Sequence, residues 1–180
     1  MEKDQEKLNL QEEQGEEFSQ EEVDEFKVET LLIEDLKTID WIKDGDYLED
    51  VRESLEEARG ETRESEYVVL NNEDGIPVAL GAISYEGHSR QAVISHIKKD
   101  KEFRGFRLKA RVVEALEERA RERGFQEVLV TIESGDSKEL RRYEGLGYIL
   151  EGREEVMENE EGESRGMVLM KKNLGDRGNE

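Results

Sequence analysis

The chain has 180 residues, 42% of them charged and 34% hydrophobic, with 48 acids against 27 bases and a net charge of −21. The charged fraction far exceeds the usual value of about 25%, which argues against nucleic-acid and anionic membrane partners, yet the apolar residues suffice for one modest core. With no Cys and two His, the chain offers no disulfide, no thiolate nucleophile and no Cys-rich metal site, and no apolar run reaches the roughly 18 residues of a membrane span, so a cytoplasmic protein without a metal is expected.

Residues 1–26 carry 11 acids against 2 bases, so residues 1–27 read as an acidic, disordered extension. Residues 28–174 form the expected domain, and residues 175–180 a polar tail. Val28 to Leu36 reads as a strand because of its apolar run Leu31, Leu32, Ile33. Leu48, Val51 and Leu55 recur at helical spacing, so Asp46 to Arg59 is an amphipathic helix stopped by Gly60. Tyr67 to Leu70 and Pro77 to Tyr85, separated by Asn-Asn-Glu-Asp-Gly, make a hairpin. Gln91 to Ile97 is another strand. Phe106 to Arg123 is a long helix with the stripe Leu108, Val112, Leu116. Glu127 to Ile132 is nearly all apolar, as a strand covered on both faces should be. Ser137 to Gly145 is a short helix, and Tyr148 to Met157 and Gly166 to Lys172 are two last strands. This order predicts an α/β or α+β layer fold, a mixed sheet with helices packed on its faces.

Charge sign along the chain carries the strongest functional signal. Between Lys98 and Arg111 stand seven bases, opposed only by Asp100 and Glu102. The island spans a strand end, a turn containing Gly105 and the first turns of a helix. Unpartnered N–H groups and the helix dipole make such a junction an anion site suited to phosphate. The same bases can instead pair with surrounding carboxylates.

The strand Gln91 to Ile97, the turn Phe103 to Lys109 and the helix to Arg123 resemble strand 4, the pyrophosphate loop and helix 3 of the GNAT superfamily of N-acetyltransferases. The family loop reads Gln/Arg-x-x-Gly-x-Gly/Ala. Arg104 matches its first position, whereas Arg107 and Lys109 replace its two glycines. Tyr143-Glu144-Gly145-Leu146-Gly147-Tyr148 resembles the family's Tyr-Glu-Lys-Leu-Gly-Phe segment, and Asp136 stands where the family often has Asn. The resemblance implies a single acetyltransferase-like domain, a mixed sheet of about six or seven strands flanked by about four helices. It implies acetyl transfer from the cosubstrate acetyl-CoA to a primary amine by direct attack. The acceptor is a small-molecule or protein amine, with a cationic one favoured by the acidic surface, and the chain works as a monomer or homodimer.

By the same resemblance, the backbone at Ile97 and Lys99 meets the pantetheine arm. The loop of Arg104, Gly105, Phe106, Arg107, Leu108 and Lys109 cradles the pyrophosphate, and Tyr143 protonates the departing thiolate. Arg107 and Lys109 can add charge-assisted bonds to phosphate or fill the groove, and a left-handed backbone there would be strained. Tyr143 can equally anchor its helix on the sheet. The positions of the family's strand-borne bases hold Val93 and Thr131. Glu133, two residues beyond Thr131 and on the same strand face, is the remaining base, acting directly or through water. His96 falls on the opposite face from Val93 in a regular strand, so a structural or exposed role is expected for it. Two other readings share these residues: an acetyltransferase fold that binds without catalysis, and an interaction protein using its acidic arm.

Overall fold

A computed structural model describes residues 26–58, 64–103, 107–152, 155–158 and 162–175. The acidic segment 1–25 lies outside the described residues, as do Arg59, Gly60 and the loop residues Arg104, Gly105 and Phe106. Eight strands form one sheet in the order β1-β2-β3-β4-β5-β8-β6, with β7 also paired to β8. The strands are β1 (Lys27–Thr30), β2 (Ser65–Asn71), β3 (Pro77–Tyr85), β4 (Gln91–Lys99), β5 (Glu127–Glu133), β6 (Ile149–Leu150), β7 (Glu155–Glu158) and β8 (Ser164–Asn173). Only β4 and β5 run parallel. A 3-10 turn (Ile33–Thr38) and the helices α1 (Gly45–Glu57), α2 (Leu108–Glu122) and α3 (Ser137–Gly145) complete the described fold. It is the expected mixed sheet flanked by helices.

The alternation of side chains on the central strands sends two apolar sets to opposite faces. Val68, Leu70, Ala79 and Ile83 pack with the predicted α2 stripe Leu108, Val112 and Leu116. Tyr67, Val69, Leu80 and Ala82 pack with Tyr47 and Val51 of α1 and with Leu31, Leu36, Ile39 and Ile42. The hairpin turn is held by Asn72, whose side-chain oxygen accepts from the N–H groups of Asp74 and Ile76 at 3.1 and 2.9 Å. Phe26 is 6% exposed, and Arg111 donates to its carbonyl at 3.0 Å. The fold therefore takes in Phe26 and Lys27, the last two residues of the expected extension.

Four expectations need correction. Val28 to Leu36 is not one strand: the chain leaves the sheet after Thr30, because Leu31 turns into the core while the Asp35 carboxylate accepts from Leu32 N–H at 2.8 Å and starts the 3-10 turn. Strand β5 is covered on one face only. Val128, Val130 and Ile132 are buried under α2, whereas Thr131 and Glu133 are exposed because α1 does not reach them. Tyr148 to Met157 divides into β6 and β7, broken near Gly152 at φ +84°. The fourth is a bulge in β4: Ser95 pairs with Ala82 and Lys98 with Leu80, so His96 and Ile97 together face the single residue Gly81.

Gly81 is there because α2 lies close. A Cβ at that position would stand 2.6 Å from Val112 Cγ1, 3.2 Å from Leu116 Cδ1 and 3.3 Å from Ile97 Cγ1. Gly81→Ala is expected to destabilise the fold by about 1–3 kcal/mol through overpacking, read as a lower denaturant midpoint at unchanged slope.

Candidate functional site

The site begins where β4 and β5 part. Their parallel pairing runs from Gln91–Glu127 to Ile94–Val130 and stops there, although both strands continue. Past Ile94, β4 pairs with β3 alone. The divergence opens a cleft of about 390 Å³, walled by β4 residues 93–97 and β5 residues 130–133, with Tyr143 of α3 and Lys109 of α2 also on its lining. A larger cavity of about 920 Å³ lies between residues 40–44 and the end of β4. Both cavities touch Ile97 and Lys109, so they meet at the end of β4.

Tyr143 is set by its helix. Asp136 caps α3, accepting from Glu139 N–H at 3.0 Å, and so fixes the turn that carries Tyr143. The ring is 5% exposed and stands edge-on to Tyr148, 5.2 Å away at 87°. Its hydroxyl makes no hydrogen bond to a described residue. Burial pushes its pKa up to about 12, with Arg142 opposing and Glu117 adding to the rise. The group therefore stays protonated at neutral pH, as a proton donor must. Behind it, Tyr148 donates to the buried Glu117 at 2.9 Å, and Lys172 donates to the same carboxylate at 2.9 and 3.1 Å.

Of the predicted site residues, the cleft brings together Tyr143, Glu133, Ile97 and Lys109. Glu133 lies on the open face of β5, half-exposed and 3.8 Å from Arg165. Lys99 lines the larger cavity and donates to the Phe103 carbonyl at 3.4 Å. Leu108 is in the core at 1% exposure, so only its backbone is available to the loop. Arg107 takes the left-handed conformation, φ +49° and ψ +32°, at the start of α2. A residue with a side chain holds this conformation at a cost of about 1–2 kcal/mol. Lys109 reaches across to α3 and bonds Glu139 at 3.0 Å. Burial lowers its pKa, Arg142 lowers it further, and Asp136 opposes. Lys98 is held 3.6 Å from Asp44 and lies over the Tyr47 ring. Two bases of the island therefore pair with carboxylates, while the cleft they flank is present.

His96 is exposed, as expected, but does not lie on the expected face. The bulge gives it φ +55° and turns it onto the α1 face, against Tyr47 and Tyr67, so it does not lie opposite Val93. The available signal was Gly81, since glycine inside a strand often marks a bulge.

The sequence profile of the acetyltransferase (GNAT) family matches residues 16–148, and the chain belongs to that family. No curated protein matches the sequence. The fold is similar to that of a spermidine/spermine N-acetyltransferase from Vibrio cholerae, with a TM-score of 0.70 and 13% identity over 85% of this chain and 95% of that one. It is also similar to ribosomal-protein-S18-alanine N-acetyltransferase from Escherichia coli, with a TM-score of 0.64 and 15% identity over 85% and 96%. A ribosomal-protein-alanine N-acetyltransferase from Brucella melitensis gives 0.67 and 19% identity over 82% and 99%. No helix among the described residues is long and apolar enough to cross a membrane.

Proposed function

We propose that the protein is an N-acetyltransferase that moves the acetyl group of acetyl-CoA to a primary amine by direct attack. The observation that carries this reading is the cleft between β4 and β5, with the protonated, otherwise unbonded Tyr143 hydroxyl on its lining. Backbone at Ile97 and Lys99 lies past the last β4–β5 pair and suits an extended amide-bearing arm. The start of α2, with the left-handed Arg107, and the adjoining segment of Arg104, Gly105 and Phe106 are the residues for the pyrophosphate. Lys109 leaves Glu139 for that anion. Tyr143 is the acid for the leaving thiolate, and the acceptor ammonium loses its proton on the open side of the cleft before it attacks.

A net charge of −21 favours a cationic acceptor, and one neighbouring structure acts on spermidine and spermine. The Lys109–Glu139 bridge across the cleft favours the second reading, a domain of this fold that does not turn over. Release of free thiol from acetyl-CoA with an amine present separates the two, and thermal unfolding tests the acetyl-CoA binding that the transfer reading requires. Acetyl-CoA at 100 times its dissociation constant is expected to stabilise the folded chain by about 2.7 kcal/mol. An unchanged melting temperature at millimolar acetyl-CoA would rule the transfer reading out.

A further inference from the structure

His96 is the one side chain of the cleft whose backbone is strained. Its left-handed φ of +55° sits inside a strand and persists because its surroundings fix it. The Tyr47 hydroxyl donates to the His96 carbonyl at 2.6 Å. The imidazole packs between the Tyr47 ring, at 5.7 Å and 61°, and the Tyr67 ring, at 6.0 Å and 37°. Its Nδ1 lies 3.0 Å from Ser95 Oγ, and its Nε2 bonds no described residue. When Nδ1–H donates to Ser95, the Nε2 lone pair is left to take a proton.

The position fits an incoming amine. Helix α2 covers one face of β4 and β5, so an amine reaches the cleft from the other face, where Thr131 and Glu133 are exposed and α1 stops short. That is the face to which the bulge turns His96. We propose that His96 is the base that takes the proton from the acceptor ammonium, oriented by Ser95; this rests on the acetyl-transfer reading. The groups facing the ring are Tyr47 and Asp50 of α1, Tyr67 of β2, and Ser95 and Lys98 of β4. Partial burial lowers its pKa below the ordinary 6.5, with Lys98 adding to the fall and Asp50 opposing it. The ring is therefore neutral at neutral pH. Glu133, by contrast, is turned toward Arg165 and held by nothing else described.

The step balances as follows. His96 Nε2 removes one proton from the ammonium. The amine lone pair forms the N–C bond at the thioester carbon, and the C–S bond breaks with its electron pair on sulfur. Tyr143 protonates that sulfur and recovers a proton from the adduct nitrogen, giving amide and free thiol. His96 then loses its proton to water.

The test uses the full chain with acetyl-CoA and three amine probes: spermidine, an aminoglycoside and an alanine-initiated peptide. His96→Asn is the variant of choice because Asn tolerates the left-handed region. It is expected to lower kcat about 10²–10⁴-fold and to abolish the acid limb of the kcat/KM profile, while melting temperature and acetyl-CoA binding stay unchanged. Glu133→Gln is expected to keep the limb. A limb that survives in His96→Asn, or disappears in Glu133→Gln, overturns the assignment. NMR titration of the imidazole in the acetyl-CoA complex needs no acceptor. A pKa below 6.5 supports the role, and one above the ordinary range overturns it while leaving the transfer reading intact. Absence of any acetyl-CoA thermal shift overturns that reading and this one together.

Discussion

Tyr143→Phe is expected to lower turnover about 10²–10⁴-fold while leaving acetyl-CoA binding and the melting temperature where they are. The substitution removes one oxygen that bonds no described residue. It keeps the ring that stands edge-on to Tyr148. Packing should therefore survive and the proton donor should not. A phenol pushed up to about 12 by burial holds its proton throughout the range in which an amine can be kept neutral. It also gives that proton up reluctantly, which is why the donated proton has to be replaced from the adduct nitrogen in the same event. The corresponding pH signature is a wild-type profile with no alkaline fall near pH 10, the ordinary value for tyrosine. Turnover that is unchanged in Tyr143→Phe, measured as thiol release at saturating acetyl-CoA, returns the residue to a packing role.

What could be read in the sequence was local. The α2 stripe is legible because Leu108, Val112 and Leu116 repeat at helical spacing, and the β2–β3 hairpin because Asn72 to Gly75 are turn residues between apolar runs. Tyr143 was legible through the segment around it, and α3 keeps the predicted bounds Ser137–Gly145. Long-range packing decided the rest. Nothing within Gln91 to Ile97 signals the bulge, which follows from Gly81 and the closeness of Val112 on α2. The one-sided cover of β5 depends on where α1 ends. Lys109 finds Glu139 thirty residues away, so a base in a phosphate-like island turns out to be paired. Arg107 could sit in a helical first turn or in a strained left-handed cap, and the fold imposes the second. The proposal for the island therefore rests on the geometry of the cleft and not on its count of charges.

Lys172→Met is expected to destabilise the protein by about 3 kcal/mol, more than any surface ion pair here would cost. Glu117 lies in α2 at 2% exposure, and Lys172 of β8 supplies two bonds to its carboxylate. Removing the ammonium leaves a buried carboxylate with the Tyr148 hydroxyl at 2.9 Å and Arg121 at 3.6 Å. Arg121 remains, and the Lys172 side chain is 22% exposed, so the cost falls at the low end of the range for breaking a buried pair. The change should appear as a shifted denaturant midpoint with an unchanged slope. Pairing it with Glu117→Leu should recover most of the loss, because no charge then stays buried without its partner. A double variant as unstable as the single one would mean that the loss comes from the ammonium that lies over the Tyr148 ring, 5.7 Å from its centroid, and not from the uncompensated Glu117 carboxylate. The same comparison bears on catalysis. Tyr148 is the wall against which Tyr143 stands, so a double variant that recovers stability but not turnover would place Glu117 among the groups that hold the acid in position.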